Sequence, residues 1–295
     1  MKNILKNCLL FCFLLSSGSA FAQQGKVIEE QTVKSKILKR NVKFTIYLPA
    51  DYETANRTYP VVYLLHGYTD DNTGWLQFGE INRYADKAIA DGTIPPMIIV
   101  MPNADSSWYI NSYDGKEKYE DFFIKEFMPH IEQAYRIKTE KQYRGVAGLS
   151  MGGYGTLIYA IKYPQLFSAA AALSAAVLPG DQMIGQADEN YEKVFGQLYG
   201  RGLKGKDRIN KAWEANSVLD LVQNKTADEL SKVRYWIDCG DDDFLTKGNC
   251  LLHIALIEKK VPHEFRIRDG AHNWTYWRTG ITNALIFMGD SFRQK

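Results

Sequence analysis

Four cysteines, nine prolines and a formal net charge of only +2 in 295 residues are what this chain has little of. With 36 basic residues set against 34 acidic ones, nothing steers the protein toward nucleic acid or anionic lipid. A membrane-spanning helix needs about 20 apolar residues, and the N-terminal run from Cys8 to Leu15 falls well short of that. Cysteine is too scarce for a stapled scaffold. Cys239 and Cys250 have no partners at metal-ligand spacing, so neither a metal nor a cofactor is expected. Repeats, low-complexity tracts and a linker to a second domain are also missing.

What is present is apolar residue, 45% of the chain, enough to bury a substantial core. The opening MKNILKNCLLFCFLLSSGSAFAQQ sets Lys2 and Lys6 before the apolar run and ends it at Ala20-Phe21-Ala22. That order is a signal peptide with cleavage after Ala22, which predicts a secreted or periplasmic protein. Residues 1–22 would leave, and 23–295 would form a single catalytic domain. The loss of Lys2 and Lys6 with no acid leaves 34 basic against 34 acidic residues. Cys239 and Cys250 would then sit in an oxidising compartment. They are read as buried thiols, one at a strand end and one in a helix, with a disulfide as the alternative.

Runs rich in valine, isoleucine and tyrosine predict strands at Val33–Leu38, Val42–Leu48, Val61–Leu65, Met97–Met101, Tyr143–Leu149, Ala169–Leu173, Val233–Asp238 and Glu264–Arg268. The first two suit an antiparallel edge hairpin, and the others, continuously apolar, suit a parallel sheet buried on both faces. Helical periodicity predicts helices at Ile81–Ala90, Tyr119–Tyr135, Met151–Ile161, Lys247–Lys260 and Trp274–Phe292. The alternation describes a doubly wound α/β domain with a mostly parallel central sheet flanked by helices. Residues 179–232 break the rhythm with scattered glycines and predict a lid-like insertion.

The stretch Gly148-Leu149-Ser150-Met151-Gly152 lies where a strand runs into a helix. It has the pattern of a nucleophile elbow, a turn so tight that side chains two residues either side of the serine would collide. A serine hydroxyl needs a base, and the base needs a third group to orient it. In this arrangement the acid and the histidine follow the serine along the chain, each after a later strand. His130 and His253 fall within helices, His263 precedes a strand, and His66 comes before the serine; His272 remains. Among Asp241, Asp242 and Asp243, the last is preferred because it lies furthest round its loop and is followed by the apolar Phe244-Leu245, with Asp241 next.

Two amide donors are needed for the oxyanion of an acyl-transfer reaction. The amides of Met151, after the nucleophile, and of Tyr68, after His66-Gly67, are the candidates. Aromatic residues in neighbouring loops supply candidate substrate walls: Trp75, Trp108, Tyr109 and Trp274. Packing is the competing reading for each of them.

Leu64-Leu65-His66-Gly67 with Trp75, Gly148-Leu149-Ser150-Met151-Gly152-Gly153, Cys239-Gly240 with Asp243-Phe244-Leu245, and Gly270-Ala271-His272-Asn273-Trp274 together resemble the esterase D group of α/β-hydrolases. That group includes bacterial feruloyl esterases of carbohydrate esterase family 1, S-formylglutathione hydrolases and mycolyltransferases. The likeness spans about Val33 to Phe292, while 179–232 departs from the pattern. It implies an α/β-hydrolase fold, a triad of Ser150, Asp243 and His272, and oxyanion donors at Tyr68 and Met151. Among these relatives the exported forms look like feruloyl esterases, so the expected substrate is a hydroxycinnamoyl ester of plant cell-wall polysaccharide. An acetylxylan or other short-acyl esterase, and an acyltransferase using the same triad, are the alternatives.

Overall fold

The computed structural model describes residues 24–293. The expected signal peptide lies outside them. Among the described residues eight strands form one sheet: β1 (Lys26–Lys34), β2 (Asn41–Leu48), β3 (Val61–Leu65), β4 (Ile98–Pro102), β5 (Arg144–Leu149), β6 (Ala169–Leu173), β7 (Arg234–Gly240) and β8 (His263–Arg268). Their spatial order is β1-β2-β4-β3-β5-β6-β7-β8. β1 pairs antiparallel with β2 and β2 with β4, and every later pairing is parallel.

The helices between them are α1 (Gly74–Gln77), α2 (Ile81–Ala90), α3 (Tyr119–Phe122), α4 (Met128–Ala134), α5 (Met151–Lys162), α6 (Gly180–Ile184), α7 (Asp188–Val194), α8 (Gly196–Tyr199), α9 (Lys211–Glu214), α10 (Val218–Asn224), α11 (Ala227–Leu230), α12 (Thr246–Glu258) and α13 (Trp274–Arg293). The sheet divides the core in two because successive strand residues face opposite sides. Val61, Tyr63 and Leu65 join Leu157, Ile158 and Ile161 of α5 on one face. Val62 and Leu64 join Ile281, Leu285 and Met288 of α13 on the other. β6, Ala-Ala-Ala-Ala-Leu and wholly buried, has side chains small enough for both helices to lie close.

Three expectations need correction. β1 is Lys26–Lys34 rather than Val33–Leu38, because an edge strand is held by backbone pairing to β2 and needs little apolar character, while residues 35–40 form the turn between the two, closed by the Ser35 amide on the Arg40 carbonyl. The single helix expected over Tyr119–Tyr135 is α3 and α4 joined by a π turn, Phe123–Phe127. Pro129, just inside α4, has no amide to donate, and the wider turn precedes it. Residues 179–232 are a chain of short helices, α6 to α11, with a 3-10 turn at Gly205–Arg208. Each of the last three helices is started by a side-chain cap, from Asn210, Ser217 and Thr226.

Spatial order reverses direction between β3 and β5, since β4 lies beside β3 on one side and β5 on the other. The crevice beyond the carboxyl ends of the strands at such a reversal is where open α/β sheets bind ligands.

Candidate active site

Ser150 stands between β5 and α5 with φ +54° and ψ −117°, a backbone conformation that costs about 1–3 kcal/mol and persists only where its surroundings enforce it. Those surroundings are visible. The Ser150 amide donates to the Leu173 carbonyl at 3.0 Å, and the Ser150 carbonyl accepts from Ala176 at 3.0 Å, so the end of β6 clamps the turn from both sides. A Cβ on Gly152 would lie 2.4 Å from the Leu65 carbonyl oxygen and 2.6 Å from that of His66. Glycine is therefore required where the elbow presses against the loop after β3.

The loops after β5, β7 and β8 bring three side chains into series. His272 Nε2 is 2.9 Å from Ser150 Oγ, and His272 Nδ1 is 2.8 Å from Asp243 Oδ2. An ionised carboxylate only accepts, so the proton sits on Nδ1 and the Nε2 lone pair faces the serine hydroxyl. Burial pushes the Asp243 carboxyl toward protonation, but hydrogen bonds from His272, the Leu245 amide and the Ser174 hydroxyl outweigh it and hold its pKa below the ordinary value. Asp241 and Asp242 are exposed. The Asp241 carboxylate accepts from the Gly270 amide at 3.0 Å and so ties the loop after β7 to the one that carries His272. Of the apolar pair Phe244-Leu245 that follows the acid, Leu245 is buried, whereas Phe244 is 71% exposed, with its ring 4.6 Å from the imidazole. The Leu245 amide does the pinning, at 2.9 Å from Asp243 Oδ1.

Sequence reasoning missed Ser174. It directly follows β6, is fully buried and has φ +44°. Its hydroxyl accepts from Trp277 Nε1 at 3.0 Å and is among the groups that hold the Asp243 pKa down. Trp277 in turn sets its ring edge-on to His272 at 4.8 Å. A lone serine after an alanine-rich strand carries no motif; only the adjacency of β6 to both β5 and β7 reveals it.

His66, Gly67 and Tyr68 leave β3 beside the nucleophile. His66 Nε2 accepts from the Ala104 amide at 2.9 Å, so its Nδ1 donates to the Gly67 carbonyl at 2.8 Å. Burial holds this imidazole neutral by lowering its pKa. Met151 opens α5, where a helix leaves its first amides without an intrahelical acceptor. Tyr68 and Ser150 line one cavity of about 600 Å3.

Of the four aromatic wall candidates, Trp108 alone reaches that cavity. Trp75 and Tyr109 are buried behind the loop after β3. Trp75 Nε1 donates to the Leu65 carbonyl at 2.9 Å, and the Tyr109 hydroxyl donates to the His66 carbonyl at 2.9 Å. Trp274 packs against Trp75 and Phe78 on the α13 side. These rings support the loop rather than the substrate. The walls that do face the cavity come largely from 179–232, which supplies Gln182, Gln186, Asn190 and Phe195, with Leu178 just before it. Among the described residues Cys239 and Cys250 are free thiols; burial is the main reason the Cys239 pKa rises to about 12. No helix of the described residues is long and apolar enough to cross a membrane.

Comparison with known proteins agrees with this geometry. The sequence profile of the Esterase family matches residues 35–288. The solved structure of a ferulic acid esterase is similar at a TM-score of 0.79 and 34% identity, over 91% of this chain and 99% of that one. An acetyl esterase of Caldicellulosiruptor saccharolyticus is 27% identical over 86% of this chain and 95% of its own length. An endo-1,4-beta-xylanase/feruloyl esterase of Xylanibacter ruminicola is 33% identical, over 48% of this chain and 20% of its own. Matched along nearly the whole sheet and the helices that cover it, the chain belongs to the Esterase family and is a carboxylic ester hydrolase of α/β-hydrolase fold.

Proposed function

We propose that this protein is an exported serine esterase that cleaves hydroxycinnamoyl esters of plant cell-wall polysaccharide through an acyl-enzyme. Ser150 is the nucleophile. His272 Nε2 takes the hydroxyl proton as Oγ bonds to the ester carbonyl carbon, and Asp243 stabilises the imidazolium that forms. The amides of Tyr68 and Met151 receive the oxyanion. As the C–O bond breaks, His272 returns the proton to the leaving alcohol. Water then repeats the sequence on the acyl-enzyme, releasing the acid and restoring Ser150.

The observation that carries the choice of acyl group is the cavity beside Ser150. Its walls include the rings of Tyr68, Trp108, Phe195 and Phe244 together with the carboxamides of Gln182, Gln186 and Asn190. A volume of about 600 Å3 suits a substituted aromatic acid, with rings to pack its face and amides to meet its hydroxyl and methoxy groups. An acetyl group would leave most of it empty. Similarity to a ferulic acid esterase over nearly the full chain supports the same reading. The full-length similarity to an acetyl esterase favours a short-acyl substrate as the second one. Export rests on the N-terminal pattern ending at Ala22.

The test compares kcat/KM for methyl ferulate and for acetylated xylan under one set of conditions, with Ser150→Ala as control. Preference for ferulate, with activity reduced at least about 1,000-fold in the variant, is expected. Preference for acetyl groups refutes the hydroxycinnamoyl reading, and a folded Ser150→Ala protein that keeps its activity refutes the nucleophile.

A further inference from the structure

The part of the cavity wall that carries the carboxamides is held from behind by one arginine. Arg208 ends the 3-10 turn Gly205–Arg208, and its side chain is 1% exposed. Its Nη1 donates to the carbonyls of Met183 at 3.4 Å, Ile184 at 3.2 Å and Gln186 at 2.5 Å. Nε donates to the Leu203 carbonyl at 3.1 Å, and Nη2 to Asp188 Oδ1 at 2.5 Å. The guanidinium also lies over the Tyr191 ring, 4.4 Å from its centroid.

Physical chemistry explains the placement. α6 ends at Ile184, where the last carbonyls of a helix lack intrahelical donors and carry partial negative charge. A planar cation with five donors in a fixed fork serves several of them together in one set geometry, where a lysine offers three donors on a freely rotating ammonium. The backbone so gathered, from Met183 to Asp188, is the strap that brings Gly185 and Gln186 to the cavity, and Asn190 follows on α7. Asn190 Nδ2 donates to Gln186 Oε1 at 2.6 Å, so the two carboxamides form one unit. Arg208 itself does not line the cavity. Ser150, His272 and Asp243 are held by the loops after β5, β8 and β7, whereas the hydrogen bonds of Arg208 run to Leu203 and to residues 183–188.

We propose that Arg208 is a specificity-positioning residue, fixing the Met183–Asp188 strap and thereby the fit of large acyl groups without touching substrate or the reacting atoms. The proposal rests on reading the cavity as the acyl-binding site. A loosened strap would weaken binding of an acyl group that reaches it, and would leave alone one that does not.

The experiment uses 4-nitrophenyl esters of acetic, butyric and ferulic acid, so that the leaving group stays constant. Arg208→Met should lower kcat/KM for the ferulate about tenfold, chiefly through KM, while the acetate changes by less than about threefold. Arg208→Lys should fall between Met and wild type. The Asp188 side chain is 58% exposed, so Asp188→Ala should fold even if Arg208→Met does not, and it should reproduce the same pattern more weakly. A parallel fall for ferulate and acetate, or no change in either, overturns the proposal. A wild-type enzyme inactive on the ferulate sinks the hydroxycinnamoyl reading instead. The butyrate-to-acetate ratio then decides Arg208, its fall in the variants being expected and its constancy contrary.

Discussion

Replacing Gly152 by alanine tests how tightly the nucleophile turn is locked to the loop after β3. The new methyl would stand 2.4 Å from the Leu65 carbonyl oxygen and 2.6 Å from that of His66, both backbone atoms. No rotamer change relieves such a contact. Reaching an ordinary separation of 3.4 Å requires the two segments to part by about 1 Å. A displacement of that size at reacting groups costs about 100-fold in rate, and overpacking of a buried backbone contact costs about 1–3 kcal/mol of stability. Because the moving segments are those bearing Ser150 and Met151 on one side and Tyr68 on the other, the loss should appear in kcat more than in KM. The assay is steady-state hydrolysis of 4-nitrophenyl acetate beside a thermal melt. Active-site labelling by a fluorophosphonate, which needs Ser150, should slow in step with kcat. A folded Gly152→Ala enzyme whose kcat stays within about threefold of wild type would refute the coupling between elbow and loop.

Further outcomes follow from neighbouring residues. Ser174→Gly keeps the φ of +44° without a Cβ but removes the hydroxyl that helps hold the Asp243 pKa down and that accepts from Trp277 Nε1. It should lower kcat about tenfold with little change in KM, and lower the melting temperature because the buried Trp277 N–H is left unpaired; an unchanged kcat would show that the hydroxyl does not position the acid. Asp70, half-buried beside Asp71, has its pKa raised to about 6, first by burial and then by its neighbour's charge. A carboxyl with a raised folded-state pKa costs stability progressively as pH climbs from its unfolded value through 6, so Asp70→Asn should stabilise the protein at pH 8 and not at pH 3.5. The shift corresponds to about 3 kcal/mol, and solvent screening of a half-exposed group reduces that to about 1 kcal/mol. Melting temperatures of the two proteins across that range provide the check, and a gain that is equal at both ends contradicts the titration.

The parts of this molecule that were legible in the sequence are those governed by local rules. A turn that admits only glycine two residues either side of Ser150 writes its geometry into the chain, and continuous apolar runs mark strands covered on both faces, except that β8, expected among them, is a half-exposed edge strand with charged residues between its apolar ones. His272 is found by elimination: two histidines fall within helices, one precedes the serine, and strand direction disqualifies His263 at the wrong end of the sheet. What stayed hidden depends on neighbours distant in sequence. Trp75 and Tyr109 share loop composition with Trp108, and only tertiary packing separates the two supporting rings from the one that faces the cavity. Phe244 looked like an anchor because it is apolar, yet it stands in solvent at the mouth of the site. The helices of 179–232 were obscured by their shortness, since four to seven residues hold barely two turns of periodicity. Their start signals were present nonetheless, as in Thr226 and Glu229, which form a reciprocal cap.

The excursion that forms the cavity wall departs after β6 and rejoins at β7, two parallel strands paired side by side, the second of them next to the edge strand β8. Its two ends are held by the sheet at the carboxyl end of β6 and the amino end of β7, however long the path between them. Closing a longer loop between fixed ends adds little free energy, because the cost rises only with the logarithm of its length. Specificity and chemistry are therefore mounted separately in this architecture. The excursion carries much of the wall that would meet the acyl group, while the sheet and its loops align hydroxyl, imidazole and carboxylate.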